Sequence, residues 1–168
     1  MANTYTLIEA KTLASAVSSI TFSSIPQTYT NLLLKTSARG STTGGDPWQD
    51  AQLSFNGNTS NQNEKWLGGF GSAAASGTGS SMMIRINKDS STANTFDNSE
   101  CYIPNYTGAN YKLVSLDNAV DNNATAALLM LNAQLWSNTA AITSLTLALG
   151  AGNFMVNSTF YLYGIKNS

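Results

Sequence analysis

Nine carboxylates hold what acid–base capacity this 168-residue chain has: Glu9, Asp46, Asp50, Glu64, Asp89, Asp97, Glu100, Asp117 and Asp121. Two carboxylates flanking a glycosidic bond can cleave it without histidine. Asp46 and Asp50 flank Pro47-Trp48, a pattern suited to sugar chemistry. Most of the nine stand beside Asn, Gly or Pro, where acids make local turn bonds, and no pair has a spacing that defines a site. Asp117-Asn118 with Asp121-Asn122-Asn123 offers oxygens to calcium, but the D-x-D-x-D-G pattern of a calcium loop is missing, so these read as turn residues. Gly68-Gly69-Phe70-Gly71 matches a phosphate cradle only in composition, because no Gly-Lys-Ser/Thr follows. No catalytic residue, cofactor site or metal ligand is assigned.

The counts of other reactive residues agree. There is no histidine, the usual proton shuttle near neutral pH. The single cysteine, Cys101, lies in a strand pattern between Glu100 and Tyr102 and reads as a buried structural thiol. Lys and Arg number 8 against 9 acids, a net charge of −1. That balance leaves no basic footprint for nucleic acid or for an anionic membrane. Tryptophan faces stack on sugar rings. Trp48 and Trp66 border loop-like stretches and are candidates for glycan contact or for a subunit interface, whereas Trp136 ends an apolar strand and reads as core.

The elements that must position these residues are mostly strands. Charged residues make up 10% of the chain, against about 25% in a typical domain. In their place stand 21 Ser, 19 Thr and 19 Asn, side chains that favour turns and strands over helix interiors. A surface wetted by hydroxyls and amides repels copies of itself weakly. Polar–apolar alternation, the mark of antiparallel sheets, runs through Thr4–Glu9, Ser19–Phe22, Gln52–Phe55, Met82–Ile86, Glu100–Ile103, Tyr111–Leu116, Ile142–Leu147 and Phe160–Ile165. Leu32-Leu33-Leu34 adds an apolar run. Asn56-Gly57 is a strong turn dipeptide. Asn123–Trp136 is rich in Ala, Leu and Met and fits a helix as well as a strand buried on both faces; its neighbours favour strand. Gly40–Asp50, Gly68–Ser81 and Asn87–Ser99 read as long loops, and Ser137-Asn138-Thr139 as a tight turn between two strands.

The expectation is one domain over 1–168, an all-β antiparallel sandwich of nine or ten strands, jelly-roll-like, with little helix. The longest weakly polar runs, Ala124–Leu131 and Ile142–Ala151, fall short of the roughly 18 apolar residues of a membrane span. Met1–Thr6 has no basic region followed by an apolar one, so synthesis in a cytoplasm is expected.

Three phrases resemble structural proteins of tailed bacteriophages, especially marine ones. They are Ile20–Leu32 (ITFSSIPQTYTNL), Asn122–Ala127 running into Leu135–Leu145 (LWSNTAAITSL), and Gly152-Asn153-Phe154 with Ser158–Ile165 (STFYLYGI). The stretch from about 40 to 98 matches least. The resemblance implies a non-enzymatic virion protein, a homotrimeric capsid decoration (cement) protein bound to the major capsid protein on the outer head surface. The alternative it implies is a receptor- or glycan-binding tip domain of a tail fibre or spike.

Overall fold

The computed structural model describes residues 4–123 and 127–166, so Ala124–Ala126 of the second phrase, and of the run that fits helix or strand, lie outside the described residues. Twelve strands and no helix are found among the described residues. They are β1 (Tyr5–Thr12), β2 (Ser19–Phe22), β3 (Asn31–Ser37), β4 (Trp48–Phe55), β5 (Gln62–Phe70), β6 (Ala73–Gly79), β7 (Met83–Asn87), β8 (Asn98–Pro104), β9 (Lys112–Asp121), β10 (Ala127–Trp136), β11 (Leu145–Leu149) and β12 (Thr159–Ile165). All pair antiparallel in two sheets, ordered β1-β12-β3-β8-β9-β10-β5-β6 and β2-β11-β4-β7.

That order defines the architecture. With β5, β6, β9 and β10 set aside, the sheets read β1-β12-β3-β8 and β2-β11-β4-β7. The first strand lies beside the last, and the chain passes repeatedly between the sheets, as in an eight-stranded jelly roll. Two hairpin insertions, β5–β6 and β9–β10, join the β8 edge and widen one sheet to eight strands. The core is built where alternation predicts it. Phe22, Leu34, Leu53, Phe55, Ile84, Leu116, Leu147, Phe160 and Leu162 all point between the sheets. Trp136 is 1% exposed and meets Phe55 edge-on at 5.6 Å. Cys101 is buried, and burial pushes its thiol up to about 12, which keeps it protonated and inert.

Local chemistry sets several strand ends. Asn56 and Gly57 both take positive φ, 53° and 69°, closing β4 with the predicted turn. Gly164 faces inward in β12, and an added Cβ would sit 2.4 Å from the ring of Tyr29. Gly164→Ala is therefore expected to lower stability by about 1–3 kcal/mol, the usual cost of overpacking, read as a shift in the urea midpoint.

Five expectations need correction. Twelve strands form against an expected nine or ten, because the β5–β6 hairpin adds two that alternation does not mark. Gly68–Ser81 is no loop: it forms most of a hairpin, with β5 and β6 joined at Gly71-Ser72. Its Ala, Ser and Gly residues have low strand propensity, but the β5 ladder supplies the backbone bonds that composition does not advertise. Gly40–Asp50 is loop only as far as Pro47, since β4 starts at Trp48. Within 87–99, Asn87 ends β7 and Asn98 begins β8. Ser137-Asn138-Thr139 is not a tight turn within one sheet; the segment carries the chain from β10 in the large sheet to β11 in the small one.

Candidate functional site

The widened sheet curls round the β7 edge of the small sheet, and this junction gathers most of the residues singled out for chemistry. An edge strand exposes unpaired backbone groups, and the extension caps them with side-chain amides. Asn118 of β9 accepts from Arg85 N at 2.9 Å and donates to Arg85 O at 2.7 Å. Gln134 of β10 donates to Met83 O at 2.7 Å. These buried polar residues stand in otherwise apolar positions because they substitute for a missing strand.

Arg85 lies at the centre. Its guanidinium donates to both carboxylate oxygens of Glu64, at 3.1 and 2.9 Å, and its Nε lies 3.1 Å from Asp50. Glu64 is 3% exposed and also accepts from Asn132 at 3.1 Å and Gln134 at 3.2 Å. Three of these donors converge on Oε2 and one reaches Oε1, which ties the carboxylate to three neighbouring side chains. Burial pushes the carboxyl of Asp50 up, against the opposing pull of Arg85. The two carboxylates that come together thus clamp an arginine and connect three strands.

Trp48 and Trp66, 18 positions apart in sequence, meet through Phe70. The ring centroids are 5.6 Å from Trp48 to Phe70 and 5.9 Å from Trp66 to Phe70. All three pack on Val120, Leu128 and Met130 in a small second core under the extension. One side of the Trp66 indole is covered by the β6 backbone, for a Cβ on Gly77 would lie 2.6 Å from it. Trp48 keeps an open side on a groove of about 460 Å³ shared with Thr42, Asp46, Asp50 and Lys88. Asp46 and Asp50 both line this groove.

The calcium candidates do not converge. Strand alternation turns Asn118 inward to Arg85 while Asp117 and Asp121 face out. Among the described residues, no three acidic or cysteine side chains group as a metal site.

Asp97 is a buried acid that sequence reading left among ordinary turn residues. It accepts from Thr36 Oγ1 at 2.9 Å, Ser99 Oγ at 2.5 Å and Ala38 N, and so connects β3 to β8. Burial pushes its carboxyl up from 3.8 to about 6, with the three hydrogen bonds opposing. The folded chain therefore holds this proton over a range where the unfolded chain has lost it. The contribution to stability is fully present below about pH 4 and is lost as pH rises to 6, by about 3 kcal/mol in all. Asp97→Asn should remove this dependence. Between pH 7 and pH 4, stability of the parent relative to the variant is expected to rise by up to that amount in urea titrations. A flat difference would sink the assignment.

The class that the strand order defines is an antiparallel, jelly-roll-like β-sandwich. Comparison with family models, with curated proteins and with solved structures found no match.

Proposed function

We propose that the chain is a non-enzymatic virion structural protein of a tailed phage, a decoration (cement) protein on the outer head surface. In this reading it associates with itself as a homotrimer, binds the major capsid protein and braces neighbouring capsomers by adding buried area. The observation that carries the proposal is where the resembling phrases fall. Ile20–Leu32 spans β2, the crossing between sheets and the start of β3, and Ser158–Ile165 contains β12. These belong to the eight-stranded jelly roll. The least similar stretch, 40–98, holds both strands of the β5–β6 insertion together with β4 and β7 of the jelly roll, and the second phrase includes both ends of β10 in the other insertion. What supports the reading is that similar segments fall at both ends of the chain, on β2, the start of β3 and β12, which lie in both sheets of the sandwich. Cryo-electron microscopy of the virion is the test: density for this chain on the head surface is expected, and its absence from the head overturns the proposal.

The groove beside Trp48 favours one alternative, a glycan-binding tip domain, because an indole edged by Asp46, Asp50, Thr42 and Lys88 offers stacking and hydrogen bonds together. Under that reading a glycan array shows discrete binders, and Trp48→Ala weakens them at least tenfold. Trp66→Ala should act less, since β6 covers part of its indole. A flat array removes the alternative.

A further inference from the structure

The two outer faces of the sandwich differ sharply. The uncovered part of the small sheet is polar, with Ser19, Thr21, Gln52 and Thr146 facing out and the Thr21 and Thr146 hydroxyls 2.8 Å apart. The outer face of the eight-stranded sheet holds most of the exposed apolar side chains, beside the charged residues Lys35, Glu100, Asp117, Asp121 and Lys65. One row of cross-strand neighbours runs from Leu7 through Tyr163, Leu33 and Tyr102 to Ser115 and Ala133. The next row places Leu131 beside Leu67. Leu67, Leu113, Leu129 and Leu131 are 56–64% exposed. Of the nine large hydrophobic side chains exposed among the described residues, seven stand on this face. Scattered apolar residues are normal on a surface, but a contiguous set marks an interaction site.

The β10 strand shows the same thing in one segment. Leu128 and Met130 pack inward, Leu129 and Leu131 point out, and both sets are apolar. Strands with two apolar faces belong to sheets covered on both sides. Here the second cover is missing from the monomer.

We infer that copies of this chain pack against one another through the outer face of the eight-stranded sheet. Two observations select a second copy as the occupant. The first is area. Eight strands about 4.8 Å apart, each about 24–34 Å long, present roughly 800–1,100 Å², against about 800 Å² per partner in a stable interface. The second is charge. The face carries Lys35 and Glu100, already paired at 2.5 Å, and three charges, Asp117, Asp121 and Lys65, that have no ionic partner among the described residues. Asp117 lies opposite Leu131 on one side of β10, and Lys65 lies opposite Ala133 on the other. A neighbouring copy laid across β10 brings Lys65 to Asp117, with Leu67 and Leu131 between them. Ser115 and Ala133 form the floor between these larger side chains and receive those of the neighbour. The inference rests on the self-association in the proposed function and not on the virion.

The test is the mass of the purified chain in solution by light scattering. A multiple of 17.8 kDa is expected for the parent. Leu131→Glu and Leu113→Glu alter exposed positions and should give the monomer mass with unchanged circular dichroism and urea midpoint. Asp117→Lys should weaken association at least tenfold, and adding Lys65→Asp should restore it. A monomeric parent at 100 μM, on the order of a hundredfold above a micromolar dissociation constant, would overturn the inference. So would Leu131→Glu and Leu113→Glu variants that keep the parent's mass. A chain that is monomeric alone but binds isolated capsid shells assigns the face to the capsid, which also overturns it. An oligomer that depends on this face but is absent from virion heads leaves the interface standing and removes the decoration role.

Discussion

Replacing Glu64 with alanine is expected to cost about 3–5 kcal/mol, the usual result of stranding one half of a buried ion pair. The substitution takes both guanidinium contacts from Arg85, whose side chain is 12% exposed, and leaves only Asp50 to balance it. It also removes the acceptor for Asn132 and Gln134. Three strands lose their common connection at once: β5 through Glu64, β7 through Arg85 and β10 through the two amides. Urea denaturation reads the effect as a lower midpoint with an unchanged slope. The double variant Glu64→Leu with Arg85→Leu should recover about half of the loss or more, because an apolar pair leaves no stranded charge. A single variant within 1 kcal/mol of the parent would mean that Asp50 alone can hold Arg85.

Arg39→Ala is the second large expected effect, about 3–4 kcal/mol, and it acts on a different part of the molecule. Arg39 is 5% exposed. Its guanidinium donates to the carbonyls of Asp89, Ser91, Thr92 and Thr95 at 2.7–3.0 Å and to Thr95 Oγ1 at 3.2 Å. One planar group thus organises the polar segment between β7 and β8, which has no ladder of its own. Alanine leaves four carbonyls without this donor, at about 1–3 kcal/mol for each that stays buried, offset where the segment moves out to water. Limited proteolysis should find new cleavage between residues 88 and 97, together with a lower urea midpoint. Arg39→Lys should rescue part of the stability, since an ammonium has three donors and no fork geometry. An uncut Arg39→Ala segment would show that the loop holds itself.

Both arginines show where sequence reading stops. Arg85 sits in Met82-Met83-Ile84-Arg85-Ile86 at an outward position, and alternation places it on a wet face. It is mostly covered because the extension folds over that face, and nothing within the segment encodes the fold-over. A signal was nonetheless present. In a chain with 10% charge, an isolated arginine inside an apolar strand has a specific partner more often than not. The contacts of Glu64, Asn118 and Gln134 are not legible for the same reason, as each lies in a segment whose own pattern does not describe its neighbour. Trp48 and Trp66 were picked by residue type, and their meeting through Phe70 depends on pairing between strands far apart in the chain.

The composition and the period of two determined that this chain forms antiparallel sheets with an apolar inner face, because alternation commits each side chain to a face as soon as the backbone extends. The turn at Asn56-Gly57 and the burial of Trp136 and Cys101 followed from local rules of the same kind. The order of the strands, the hairpin hidden in Gly68–Ser81 and the arginine clamps were decided only by long-range pairing. The outer face of the large sheet belongs to both levels. Leu-Leu-Met-Leu in β10 already specified two apolar faces, and only the assembled sheet showed which one the protein's own core leaves uncovered.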